Sequence, residues 1–298
     1  MSGVITHTYS HWKDYLELCK PRVVALMLLT SAIGMLLATP GMVPWEIMLL
    51  GNLGIAFCAS SAAAINHIVD RHVDQKMYRT ANRPLVEGRV QPQQALLFAF
   101  VIGTIGMAIL LIFINATTAW LTLASLLGYA LVYTLFLKRA TPQNIVIGGI
   151  AGAAPPLLGW TAVTGEIHGH GLLLALIIFA WTPPHFWALA IHRKDEYANA
   201  NIPMLPVTHG EHYTKLHIFL YTLIMFAVTL LPFATGMFSW IYLLGALVLG
   251  GGFIYWSIVL LIGKQPTAAM DTFKYSIIYL MALFMAMLLD HYLLPPSL

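Results

Sequence analysis

Long apolar runs alternate along this chain with short polar interruptions, and the runs set its architecture. A helix that crosses a bilayer satisfies its own backbone hydrogen bonds and needs roughly 20 apolar residues to do so. Nine runs of that kind stand at 23–38, 45–68, 93–114, 119–137, 144–163, 172–192, 216–235, 240–262 and 275–294. Turn chemistry marks their ends, as at Thr39-Pro40-Gly41 after the first and at Asn115 to Thr118 between the third and fourth. The pattern predicts an all-α, polytopic membrane protein of nine transmembrane helices. It predicts one integral-membrane domain over 1–298, with no soluble domain, linker or low-complexity segment.

Charge orients the helices. All fifteen Lys and Arg residues fall in segments 1–22, 69–91, 138–143, 193–215 and 263–274, which are the alternate interruptions. Lysine and arginine resist translocation, so these segments are expected on the cytoplasmic side, with the amino terminus inside and the carboxyl terminus outside. A missed or surplus helix would scatter the charges over both sides. The opposite loops are short and nearly uncharged, so the chemistry is expected at the cytoplasmic face. Residues 1–22 are too long and polar for a typical signal-peptide start, and no small-x-small cleavage signal follows. The first helix is therefore read as mature structure.

Composition agrees with the pattern and removes other classes. Hydrophobic residues make up 59% of the chain and charged residues only 9%, far from ordinary soluble composition. The net charge of +3 is dispersed over short segments, which gives no support to a nucleic-acid interface. Cys19 and Cys58 form neither a disulfide framework nor a metal motif. The small residues of GGIAGAAPPLLGW, from Gly148, allow close helix approach. Pro155-Pro156 and Pro183-Pro184 each remove helical hydrogen bonds, so kinks bordering a cavity are expected there.

In so uncharged a chain the stretch 66–85 stands out, because it gathers Asn66, Asp70, Asp74, Arg71, Lys76, Arg79 and Arg83. Asn66, Asp70 and Asp74 are spaced i, i+4, i+8. If the helix continues past its apolar run they share one face, rising roughly 6 Å per step. An unpaired carboxylate at the bilayer centre costs about 2.5–3.5 kcal/mol, so that face must look into a polar cavity or the interface. Oxygen ligands suit Mg²⁺, which bridges carboxylates to substrate phosphate. The roughly 12 Å from first to third position is too long for one directly held ion on a regular helix. Two ions, water bridges or a helix break are required. Arginine forks match phosphate oxygens, so acids beside arginines read as a metal-diphosphate site. The competing reading is that Arg71 and Lys76 merely pair with the acids at an interface.

A second polar segment, 192–212, falls on the same side and offers Arg193, Lys194, Asp195, Glu196 and Asn199, with Asp195 and Asn199 again at i, i+4. The two clusters are expected to clamp a metal-bound diphosphate between them. His185 and His192, seven residues apart, share a helix face. They suit a porphyrin or metal contact, but spacing alone favours hydrogen bonding within the bundle.

Asn66, Asp70, Asp74, Arg79-Thr80, Asn82-Arg83-Pro84-Leu85, Thr182-Pro183-Pro184-His185-Phe186-Trp187, Asp195-Glu196-Tyr197 and Ile202-Pro203-Met204-Leu205-Pro206 together carry a likeness. The chain resembles the UbiA superfamily of intramembrane prenyltransferases, and within it the branch that farnesylates heme, over essentially all nine runs. The resemblance implies a helical bundle around a central cavity and Mg²⁺-dependent transfer of farnesyl from farnesyl diphosphate to a vinyl group of heme b. It implies metal and diphosphate binding by Asn66, Asp70, Asp74 and Asp195, with Arg79 and Arg83 as further catalytic residues. Arg71, Lys76, Arg193, Lys194, Tyr197 and Asn199 become substrate-binding residues, and His185 and His192 heme contacts. Asn199 stands where broader superfamily members often have an aspartate. The resemblance further implies a bacterial inner membrane and leaves open docking on a heme A synthase or a terminal oxidase. Prenylation of an aromatic acid such as 4-hydroxybenzoate is the alternative within this chemistry. A transporter, which also tolerates broken helices, is the alternative outside it.

Overall fold

A computed structural model describes residues 12–263 and 265–294, with all their side chains except that of Arg139. The helices are α1 (Trp12–Leu18), α2 (Pro21–Leu37), α3 (Trp45–Asp74), α4 (Pro92–Ile114), α5 (Ala116–Leu137), α6 (Asn144–Thr164) and α7 (Gly169–His192). Two short helices, α8 (Lys194–Asn199) and α9 (Leu205–Thr208), precede α10 (Gly210–Ala234), α11 (Trp240–Ile262) and α12 (Ala268–Leu293). Eight of these are long and apolar enough to cross a membrane, and the pair α1 and α2, bent by 54°, makes a ninth when taken as one broken span. Among the described residues there are no strands.

Successive spans pack side by side, and α12 returns to α2 to close the ring. The ring is drawn inward where α2 lies along α6 and where α12 lies along α7. Glycine permits the first of these approaches. A methyl group at Gly34 would overlap the Pro156 carbonyl, and one at Gly159 would overlap that of Ser31.

The two ends of the bundle differ. At one end, ion pairs and hydrogen bonds join Arg89 to Asp14, Lys20 to Asn66 and Lys138 to Asp70. The other end is nearly uncharged. There Asn115 accepts from the Thr118 amide at 2.8 Å, capping α5, and donates to the Thr161 carbonyl at 2.9 Å. His291 binds the Thr39 carbonyl at 2.9 Å.

Three features depart from or refine the hydropathy pattern. First, α3 does not end with its apolar run at 68 but stays helical to Asp74, because its polar residues find buried partners along one face. Second, α4 and α5 finish as π-helix, over Leu110–Ile114 and Gly128–Leu137. Third, neither proline pair interrupts its helix. Pro155 has no N–H for the Ala151 carbonyl, which accepts instead from Ser125 Oγ of α5 at 3.4 Å.

Candidate active site

The inner face of α3 carries Asn66, Asp70 and Asp74 at 2–4% exposure, and each side chain meets a cation from another part of the chain. Lys20, at the bend between α1 and α2, donates from Nζ to Asn66 Oδ1 at 2.5 Å. Its positive φ of 50° makes that bend. Lys138, just past the π segment of α5, donates to Asp70 Oδ2 at 2.5 Å. Arg83 folds back from the following loop, and its Nη1 donates to Asp74 Oδ2 at 2.6 Å. Asn66 Nδ2 donates to Asp70 Oδ2 at 2.9 Å and to Thr134 Oγ1 at 3.3 Å. Thr134 in turn donates to the Tyr129 carbonyl at 2.8 Å, five residues back, a spacing the π turn supplies.

Three atoms of α3 here lack partners among the described residues. Asp70 Oδ1 is buried with no hydrogen bond, and so are both ring nitrogens of His67. Lys20, Arg83 and Lys138 all act electrostatically on His67. Buried polar atoms are ordinarily satisfied, so these atoms keep hydrogen-bonding capacity to offer a polar ligand.

The loop after α7 converges on the loop after α3. Met77 is buried in one apolar cluster with Trp187, Ala200, Ile202, Met204 and Leu205, and Tyr197 packs against it. Burial pushes the Tyr197 phenol up; Arg79 and Arg193 oppose the shift and Glu196 reinforces it. Those four side chains from two loops therefore share one electrostatic neighbourhood. Glu196 Oε2 is buried and has no partner among the described residues, whereas Asp195, Asn199 and His192 are exposed. Lys194 binds Glu211 at 3.2 Å.

Arg71 and Lys76 pair with neither acid. Arg71 Nε donates to His72 at 3.1 Å and Lys76 is exposed. The acids are paired instead by Lys138 and Arg83. His185 is buried on α7 between aromatic rings, so it and His192 do not share an environment. Sequence reasoning gave Lys20, Lys138, His67 and Thr134 no place in the site. The two lysines were visible as cations flanking apolar runs, each with an arginine near it in sequence, but there they served only to orient the helices.

Among the described residues no three His, Cys, Asp or Glu side chains stand close enough to hold a metal by themselves. Asp70 and Asp74, one helical turn apart, offer hard oxygen ligands that need substrate oxygens and water to fill a Mg²⁺ shell.

A bundle of eight or nine membrane-crossing helices with a buried row of acids and cations at its basic end defines a multi-span membrane protein. The UbiA prenyltransferase family matches residues 27–288, and the chain belongs to it. It is 69% identical to the protoheme IX farnesyltransferase of Saccharophagus degradans, over 99% of this chain and 98% of that protein. It is 70% identical to the protoheme IX farnesyltransferase of Teredinibacter turnerae, over 95% of this chain and 91% of that protein. Among solved structures, a digeranylgeranylglyceryl phosphate synthase superposes with a TM-score of 0.81 at 20% identity, covering 95% of this chain and 99% of that one. A UbiA homolog from Archaeoglobus fulgidus bound to GPP and Mg²⁺ superposes with a TM-score of 0.63 at 18% identity, covering 92% and 99%. At such identities these two structures establish a shared fold.

Proposed function

We propose that this chain transfers the farnesyl group of farnesyl diphosphate to a vinyl group of heme b, giving heme O, at the cytoplasmic face of a bacterial inner membrane. The observation that carries the reading is the buried row Asn66, Asp70 and Asp74, each bound to a cation from another element, in a chain so close to protoheme IX farnesyltransferases.

Asp70 and Asp74 fit Mg²⁺, since their oxygens are hard ligands and Asp70 Oδ1 is buried without a partner among the described residues. The Archaeoglobus fulgidus homolog's GPP and Mg²⁺ support that assignment. Bound there, Mg²⁺ supplies neutralisation of charge on the departing diphosphate. Asn66 orients Asp70 through its amide. Arg83, Arg79, Lys138 and Lys20 set positive charge where the leaving group gains negative charge, which is the largest lever such a site has. From the facing loop, Asp195 and Glu196 extend the acidic set, while Arg193 and Lys194 offer cations to diphosphate or to heme propionates. Tyr197 and Asn199 line the same loop, and Arg71 and Lys76 guide anions toward it. His185 and His192 serve as heme contacts. The apolar bundle walls exclude water while the vinyl group attacks the allylic carbon and the C–O bond to diphosphate breaks; water then adds to the resulting cation and loses a proton to give the hydroxyl.

The test uses membranes that lack heme O but contain this protein. Given heme b, farnesyl diphosphate and Mg²⁺, they are expected to yield farnesylated heme by mass spectrometry, and chelation of the metal is expected to stop it. Product on 4-hydroxybenzoate with none on heme would replace the acceptor. Substrate flux without bond formation would make the chain a transporter.

A further inference from the structure

His185 is buried on α7. Its ring stacks on Trp181 at 4.0 Å between centroids and on Phe273 at 4.6 Å. Two near-parallel rings at those distances cannot share a face, so both faces of the imidazole are covered. Nδ1 lies 2.6 Å from Ser276 Oγ. That hydroxyl has a single proton, which it donates to the Phe273 carbonyl at 2.6 Å. Toward His185 it can only accept, so the shared proton belongs to Nδ1. The neutral ring then carries its lone pair on Nε2. Trp181 Nε1 donates to the Ser276 carbonyl at 2.8 Å, so one residue of α12 fixes both rings of α7.

Nε2 has no partner among the described residues, and it is not sealed off as the two ring nitrogens of His67 are. A histidine used only for packing would ordinarily have both nitrogens satisfied. This one has a fixed plane, a fixed tautomer and one basic atom on its open edge.

We infer that His185 Nε2 ligates the iron of the heme substrate, with Ser276 as its positioning residue; this rests on heme being the acceptor. Metal-ligating histidines characteristically donate their other N–H to an oxygen, which sets tautomer and orientation, and imidazole is a common proximal ligand of heme iron. Ligation at the centre of the macrocycle leaves its vinyl periphery free. The porphyrin is thus held without touching the carbons that react.

The test titrates ferric heme b and, separately, metal-free protoporphyrin IX into the purified full-length protein. Wild type is expected to give a histidine-ligated heme spectrum. His185→Gly is expected to lose that spectrum, to regain it on addition of imidazole, and to bind metal-free protoporphyrin IX as wild type does, which also shows that it is folded. Ser276→Ala is expected to keep the ligated spectrum while weakening heme roughly 10–100-fold, with metal-free protoporphyrin unaffected. A wild-type heme spectrum in His185→Gly would overturn the ligation and leave heme as acceptor. Equal loss of both porphyrins, unrescued by imidazole, would reduce His185 to packing. Failure of the wild-type protein to bind either porphyrin would overturn the inference, and absence of farnesylated heme in the membrane assay would overturn the reading beneath it.

Discussion

Lys138 Nζ lies 2.5 Å from Asp70 Oδ2, joining the end of α5 to the polar face of α3 across 68 residues of chain. The lysine side chain is 17% exposed and the carboxylate 2%. Removing one partner of so buried a pair leaves an uncompensated charge, at a cost of about 3–5 kcal/mol. Lys138→Met is therefore expected to lower stability by about 3 kcal/mol in detergent, and adding Asp70→Asn should restore most of it. A double variant no better than the single one would show that the two groups are not coupled.

Charge on the row is also expected to matter for turnover. Asp70→Asn and Asp74→Asn keep the side-chain size, and membrane insertion should survive both. With diphosphate stabilisation lost, farnesyl transfer should fall about 100- to 1000-fold, the range for removing one transition-state electrostatic contact. Rates near wild type in both variants would leave the acids with a purely structural role.

The legible part of this protein is the part governed by period and charge. Apolar run length located the spans, although α3, α10 and α12 extend well beyond their runs at the basic end, and the i, i+4, i+8 spacing placed Asn66, Asp70 and Asp74 on one buried face as they are found. Partner choice was not legible. Arg71 and Lys76, the nearest cations in sequence, pair with neither acid, whereas Arg83 and Lys138 reach them through a loop reversal and a bundle contact. The π segment that sets Thr134 beside Asn66 leaves no mark in a uniformly apolar run. In the loop after α7, Asp195 fitted the i, i+4 pattern, yet Glu196 presents the buried oxygen. A six-residue helix is oriented by its neighbours, not by its own periodicity.

Two glycines of α6 make a matched test of packing. A methyl at Gly159 would collide with backbone of α2, while one at Gly152 would meet nothing within 4 Å. Gly159→Ala must push two helices apart, and overpacking of this kind costs about 1–3 kcal/mol. Gly152→Ala should be neutral or gain up to about 1 kcal/mol from helix propensity. Thermal unfolding in detergent measures both. Equal effects would mean that α2 and α6 have room to adjust.

At the end of the bundle away from the acids, Asp290 of α12 caps a helix to which it does not belong. Ser239 precedes α11 but makes no side-chain cap of its own. Asp290 accepts instead from the Ser239 amide at 2.9 Å, the Ser239 hydroxyl at 2.7 Å and the Tyr242 amide at 2.9 Å. It thereby satisfies two amides at the start of α11 and places negative charge at the positive end of the helix dipole. Asp290→Ala removes all three bonds and is expected to cost about 2–3 kcal/mol, combining a lost cap with buried donors left unpaired. Asp290→Asn retains one carbonyl acceptor and should cost less. Because this site is remote from the buried row, turnover per folded molecule should stay at the wild-type value in both variants. A loss of turnover beyond the loss of folded protein would mean that the α11–α12 junction controls the active end as well as the fold.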